Sequence, residues 1–257
     1  MYTDYRDKIK RNNYLRLSAK ICVPINFNKA IKRDEIEMNV NDAVETRKSI
    51  RAFLEKPVPL EILQEILRSA FRAPSWGNTQ PGKVTVVGGE IFQTMIKEFV
   101  QKASAGEAPR TDVAIPKEWP EVLSRRYKEN GKRLFELLGI GRGDKDARTR
   151  HMLNMFKFFG APQAIYIHID GTLGPYSIFD AGLLAQNIAL LAAEKYLGTC
   201  FMGTSVWFAD VVRRYTGIPE SDQIVIGMAI GHPDWDAPVN RFRSEREPLE
   251  AVVRWVR

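Results

Sequence analysis

One stretch constrains the fold more than any other. Ser177–Leu197 reads SIFDAGLLAQNIALLAAEKYL, a helix-length run that is apolar nearly all round. A helix of that kind cannot lie on a surface and must be central and buried. It predicts a globular core built around it, with one face left over for a partner. Its longest apolar run, Ala181–Ala193, is interrupted by Gln186 and Asn187 and falls short of a bilayer span. Gly198 is expected to end the helix as a left-handed cap.

The rest of the chain arranges itself around that helix. Asn41 or Asp42 can cap a short helix with Glu45 as its capping-box partner. Pro59 suits the first turn of another, whose stripe is Ile62, Leu63, Ile66, Leu67, Ala70 and Phe71. Ala73-Pro74 stops it, and Ser75–Gly82 is an irregular loop. Lys83–Gly89, Pro162–Asp170 and Gln223–Pro233 read as strands, Glu90–Val100 as a helix, and Ala251–Val256 as a short closing strand. Residues 101–150 are the least hydrophobic stretch, helical around Leu123–Leu138, and long for a connection. They predict a lid or substrate-facing excursion. Residues 1–42 are polar apart from Ile21–Phe27 and read as an extension, leaving 43–257 as the domain. The fold class is α+β.

Charge and cysteine content narrow the function classes. The formal charge is +7, but the cations are dispersed among acids, without the like-charge run of a nucleic-acid arm. Cys22 and Cys200 make no disulfide framework, and the start of the chain lacks the apolar core of a secretory signal. The expectation is a cytoplasmic protein with neither nucleic acid nor membrane as partner. His151, His168 and His232 lack metal-ligand spacing and read as structural, with no metal implied. Cys200 reads as a small buried hydrophobe.

Three polar stretches carry the chemistry. RKSIR (Arg47–Arg51) crowds Arg47, Lys48 and Arg51 around Ser49 beside Ile50 and Phe53, against their mutual repulsion. An anion with a large apolar body, such as a phosphate-bearing flavin, explains that arrangement. APSWGNTQP (Ala73–Pro81) offers Ser75, Asn78 and Gln80 on a loop pinned by two prolines, suited to the donors and acceptors of a planar ring edge. NRFRSEREPL (Asn240–Leu249) adds Arg241, Arg243 and Arg246. No glycine-rich dinucleotide fingerprint follows a strand, so a nicotinamide cofactor would bind transiently.

These stretches, in this order and with DAGLLAQNIALLAAEKYLGT between the second and third, resemble the FMN-dependent nitroreductase family from Asn41 to the C-terminus. FKFFGAPQAIYIHID further resembles a branch acting on nitroaromatics such as nitrobenzoates. The resemblance implies a mostly antiparallel sheet flanked by helices in a homodimer with swapped arms, and FMN at the interface. NADH or NADPH and an electrophilic small molecule, nitroaromatic or quinone, would share the site by a ping-pong scheme.

Residue by residue, the resemblance implies Arg47, Lys48 and Ser49 at the phosphate and ribityl chain and Arg51 near the pyrimidine edge. Pro74, Ser75, Asn78 and Gln80 would reach the flavin of the opposite subunit. Gln186 would make a polar contact close to the cofactor. Phe201, Met202 and Gly203 would press backbone against the ring. Arg246 would reach the phosphate with Arg243 as helper. Trp76 would narrow the substrate slot. The flavin N5 carries the hydride, with Arg51 and Lys48 in electrostatic roles, so no catalytic dyad is needed. Gly82 stands where the family commonly has Trp, a departure that removes a bulky ring near the cofactor. Two alternatives remain at this point. One is a reductive dehalogenase of halogenated phenols, with Glu, Tyr and Lys supplied by RRYKENGKR (Arg125–Arg133). The other is a nucleic-acid-binding protein, suggested by charge alone.

Overall fold

The computed structural model describes residues 38–257. The Ile21–Phe27 island, Cys22 and most of the 1–42 extension lie outside the described residues. Four strands form one antiparallel sheet in the order β1-β2-β4-β3. They are β1 (Lys83–Gly88), β2 (Gln163–Asp170), β3 (Gly198–Met202) and β4 (Asp222–Gly231). With eight helices among the described residues, this is an α+β fold.

Each face of the sheet is covered, and β2 explains how. Ile165, Ile167 and Ile169 face one side, packed with Leu63 and Ile66 of α2 (Leu60–Ala70) and Leu184 and Ile188 of α6 (Pro175–Glu194). Ala164 and Tyr166 face the other, against Phe92, Met95 and Phe99 of α3 (Gly89–Ser104), Phe156 of α5 (Lys145–Phe156) and Val211 of α7 (Ala209–Thr216). A strand buried on both faces reads as a continuous apolar run, which is why the sequence made it conspicuous.

The long helix is α6, and its inner stripe is buried as expected. Its outer stripe is not. Tyr176 and Phe179 are 64% and 62% exposed, and Gln186 is exposed. At twenty residues, α6 also has the length and composition to cross a membrane, against the sequence expectation. Its inner half packs on the sheet, as core helices of this kind do.

Several local readings are corrected. The first helix, α1 (Val40–Thr46), is capped by Asn39, whose side chain accepts from Asp42 N–H at 3.1 Å while Asp42 accepts from Asn39 N–H at 3.3 Å. The box is therefore offset from the Asn41/Asp42–Glu45 pairing. Gly198 is not the cap of α6. The left-handed residue there is Tyr196 (φ 57°), and Gly198 opens β3. A Cβ on Gly198 would lie 2.7 Å from Ile50 Cγ1, so glycine serves close approach, not a turn. Ala251–Val256 is no strand: α8 (Leu249–Val252) is a single helical turn after Pro248, and the tail beyond pairs with no strand among the described residues. Its β-branched residues have strand propensity, but they lie along no strand among the described residues. Residues 101–150 hold α4 (Glu121–Leu137) and the start of α5.

Candidate functional site

The RKSIR segment becomes an edge addition to the sheet. Leaving α1 at Arg47, the chain straightens and Ser49 bridges Thr199 in parallel, with Ile50 N–H donating to Thr199 O at 2.9 Å. Ile50 buries its side chain in the space that Gly198 leaves. The two residues before it and the one after thus remain half-buried at the sheet edge. From the far end of the chain, residues 234–246 return to the same place. Asp234 N–H donates to Ala52 O at 3.0 Å, and Arg51 N–H donates to Asn240 Oδ1 at 2.7 Å.

Five cations meet there: Arg47, Lys48, Arg51, Arg243 and Arg246. Arg47 has its pKa lowered by burial first, then by the charges of Arg246 and Arg243; Lys48 is lowered by burial and then by Arg243. Among the described residues only Arg243 is paired with a carboxylate, Glu45, at 3.3 Å. Lys48 donates to Asn240 O and lies 5.1 Å over the Trp235 ring. Arg51 lies 5.8 Å from the Phe242 ring centroid and donates to Ser49 O at 3.2 Å. Arg246 is exposed and, among the described residues, bonded only locally, to Ser244 Oγ at 2.8 Å and Glu245 O at 2.9 Å. Cys200 is buried beside this cluster. Burial pushes its thiol pKa up, although Arg51, a hydrogen bond from Ser49 and Arg47 oppose the shift.

The amide loop is built elsewhere. Ser75 Oγ accepts from Gln80 N–H at 2.9 Å, closing a tight turn in which Asn78 (φ 56°) and Gln80 (φ 52°) are both left-handed. Non-glycine residues held in that region mark a site whose surroundings over-determine it. The loop is anchored on α6: Trp76 N–H donates to buried Asp180 at 3.2 Å, and the Trp76 ring meets Tyr176 edge-on at 4.2 Å. Gly82 packs against α6, where a Cβ would lie 2.8 Å from Leu184 Cδ2. Pro74 and Asn78 are exposed beside it. Among the described residues, no hydrogen bond or ion pair joins this loop, or Gln186, to the cation cluster. At the end of β3, Met202 turns into the core and Phe201 is half-buried, while Gly203, the residue after it, is exposed with open space where a Cβ would be.

Residues the sequence did not single out complete the surroundings. Asn240 is 1% exposed and binds both halves of the cluster. His151, read from sequence as structural, lies on α5 near Arg51. Burial and then the Arg51 charge hold it below its usual 6.5, and it meets the Phe135 ring edge-on at 5.2 Å. α4 is tied to the returning segment through Arg126–Glu247 at 2.6 Å and Arg133–Glu245. Within RRYKENGKR, Tyr127 is 72% exposed, and Glu129 stands 3.9 Å from Lys132. No cluster of three potential metal ligands occurs among the described residues.

A sequence profile described as the nitroreductase family matches residues 44–232. The chain belongs to the nitroreductase family. The match takes in both RKSIR and the Ser75–Gln80 loop and stops short of Asn240 and the arginines after it. A 4-nitrobenzoate reductase of Pseudomonas putida is 34% identical over 218 residues, covering 83% of this chain and 93% of that protein. A nitrobenzene nitroreductase of Ectopseudomonas oleovorans is 31% identical, covering 84% and 96%. Among solved structures, the FMN- and NADPH-dependent nitroreductase NfnB from Sphigopyxis sp. strain HMH superposes with a TM-score of 0.82 at 32% identity. It covers 85% of this chain and 99% of that one.

Does this nitroreductase have the groups an FMN needs? A phosphate dianion needs concentrated, un-neutralised cations, and the cluster supplies four without a carboxylate partner among the described residues. A flat ring needs backbone that approaches closely, and Gly203 leaves that space. The donor set fits the group.

Proposed function

We propose that the protein is an FMN-dependent NAD(P)H oxidoreductase that reduces nitroaromatic, quinone or similar electrophilic small molecules. The observation that carries this reading is the convergence of Arg47, Lys48 and Arg51 with Arg243 and Arg246 around one partnering carboxylate. Like charges gathered at that density repel, and an anion relieves the repulsion.

The chemistry that FMN supplies when bound is two-electron transfer from NADH or NADPH to an acceptor that occupies the same place in turn. The chain's own residues place and polarise. Arg47, Lys48 and Ser49, with Arg246 and Arg243, would hold the phosphate and ribityl chain. Arg51, half-buried beside the Phe242 ring, would offer positive charge to the pyrimidine edge, where negative charge gathers on reduction. His151 is held toward its neutral form beside Arg51 and can take up a proton there as negative charge grows. α4, fastened through Arg126 and Arg133, would form the roof of the site and limit access by water.

A homodimer belongs to the same reading. Trp76, Tyr176 and Phe179 expose 61%, 64% and 62% of their surfaces on one patch formed by the amide loop and α6. Covering it with a second copy would carry Ser75, Asn78, Gln80 and Gln186 toward the partner's cation cluster, with Trp76 at the mouth of the slot. Sedimentation of the flavin-loaded protein should give a dimer, and a loaded monomer would refute the shared site. The relatives' nitro acceptors favour nitro reduction over dehalogenation, and the local clustering of cations around Ser49 favours a small anion over nucleic acid.

The test is direct. The purified protein should be yellow with FMN and should oxidise NADH or NADPH when a nitroaromatic is added. A protein that stays colourless with added FMN and leaves the nicotinamide untouched rules the reading out.

A further inference from the structure

We propose that Asn240 is the positioning residue of this site: its buried amide clasps the Arg47–Ala52 segment to the returning Asp234–Arg246 segment, and so pre-assembles the anion cradle. The inference rests on the flavin reading above and adds to it a residue that touches neither flavin nor substrate.

Every polar group of Asn240 is used. Its Oδ1 accepts Arg51 N–H at 2.7 Å, and its Nδ2 donates to Ala52 O at 2.8 Å and to Asp234 O at 2.7 Å. Its main-chain oxygen accepts from Lys48 Nζ. The residue is 1% exposed, so any of these groups left unmatched would be costly. The two segments it joins are 189 positions apart at Arg51. Main-chain bonds from Leu54 N–H to His232 O and from Asp234 N–H to Ala52 O begin the junction, and Asn240 carries it on to Arg51 and Lys48.

The chemistry also explains why the side chain is an amide. One planar group must present an acceptor to a main-chain N–H and two donors to main-chain carbonyls. A carboxylate of the same shape would point oxygen at Ala52 O and Asp234 O, and would place a negative charge inside the cradle. A neutral clasp draws repelling cations together without cancelling their charge, which leaves that charge for the ligand.

FMN and riboflavin separate this from a packing role, because they share the ring and ribityl chain and differ by the phosphate. For Asn240→Ala, the FMN dissociation constant should rise about tenfold or more while that of riboflavin changes less than about twofold. Asn240→Asp should lose more FMN affinity than Asn240→Ala, again sparing riboflavin. Equal losses for both flavins, or no loss for either, overturn the proposal. So does Asn240→Asp binding FMN as well as the parent protein does. Should both variants fail to fold, hydrogen exchange on the unaltered apoprotein still decides: the Arg51 amide should be protected before FMN is added, and free exchange there overturns a preformed clasp. An unaltered protein that binds FMN no better than riboflavin would instead remove the phosphate reading itself.

Discussion

The two ends of β4 hold two polar clusters of opposite design. At its start, Asp222 is 2% exposed and fully engaged. Lys83 Nζ donates to it at 2.8 Å, and His168 Nδ1 lies 2.7 Å from it. A carboxylate only accepts, so Nδ1 carries a proton, and Nε2 lies 3.0 Å from the Thr85 hydroxyl. Arg213 donates to Asp222 O at 2.6 Å and pairs with Asp112 at 2.7 Å; Asp112 in turn accepts from Ile224 N–H at 2.8 Å. Charges here are matched sign for sign. Beyond the other end of β4, four cations have no carboxylate partner among the described residues, and neutral Asn240 bonds two of them, Lys48 through its main-chain oxygen and the Arg51 main chain through its amide. Matched charge fixes a structure, whereas unmatched charge held in place awaits a ligand.

The largest way to break this contrast is at the matched end. Asp222→Ala leaves Lys83 and His168 without their common acceptor. It should lower unfolding stability by about 3 kcal/mol in a denaturant titration. Protein that remains folded should keep its preference for FMN over riboflavin. A loss of that preference would mean the two clusters are one system.

At the unmatched end the sign reverses. Arg47→Ala should weaken FMN binding roughly 10- to 100-fold, yet leave the apoprotein as stable as before or more so, since it removes a repelling charge. Apoprotein destabilised as much as by Asp222→Ala would show that Arg47 is structural.

Acid should expose both clusters in separate steps. Burial opposes ionisation of Asp222, but Lys83 and His168 outweigh it and hold its pKa below the usual 3.8. Its contribution is therefore present above about pH 4 and is lost as pH falls through the lowered value. His151, held below 6.5, contributes stability that is complete above pH 6.5 and is lost as pH falls through its own lowered value. In the apoprotein, His151→Gln should flatten the upper step and Asp222→Asn the lower. FMN should shift the His151 step to higher pH, because an anion near Arg51 favours imidazolium; an unmoved step would place His151 away from the site.

The smallest effect is at the surface. Arg126→Ala breaks an exposed pair with Glu247 and should change stability by less than about 1 kcal/mol. A larger change in KM than in kcat would indicate that α4 forms a wall of the substrate site.

Legibility in the sequence followed the range of the interactions. The strands at Lys83–Gly88, Gln163–Asp170 and Asp222–Gly231 announced themselves through β-branched and apolar content, and α6 did so through its length. β3 was missed because GTCFM is five residues with glycine at its start, which reads as a turn until β4 is alongside. α5 and α7 were not singled out: α5 buries only Phe156, and α7 is eight residues long. His151 and Asn240 gave no local signal, since their roles depend on neighbours far along the chain. An Asn opening an arginine-rich segment is the one sign that could have marked Asn240.

The sequence by itself determined the parts: a buried helix, apolar strands, and cationic and amide segments whose residue types suit a flavin phosphate and ring. Local periodicity and side-chain chemistry suffice for that. Only the tertiary structure decided that Arg47–Arg51 lies along β3, with Ile50 in the gap Gly198 leaves, and that the C-terminal arginines fold back on it through Asn240. Those contacts join residues about 150 to 190 positions apart, as sheet-edge pairing can and helical or turn propensity cannot.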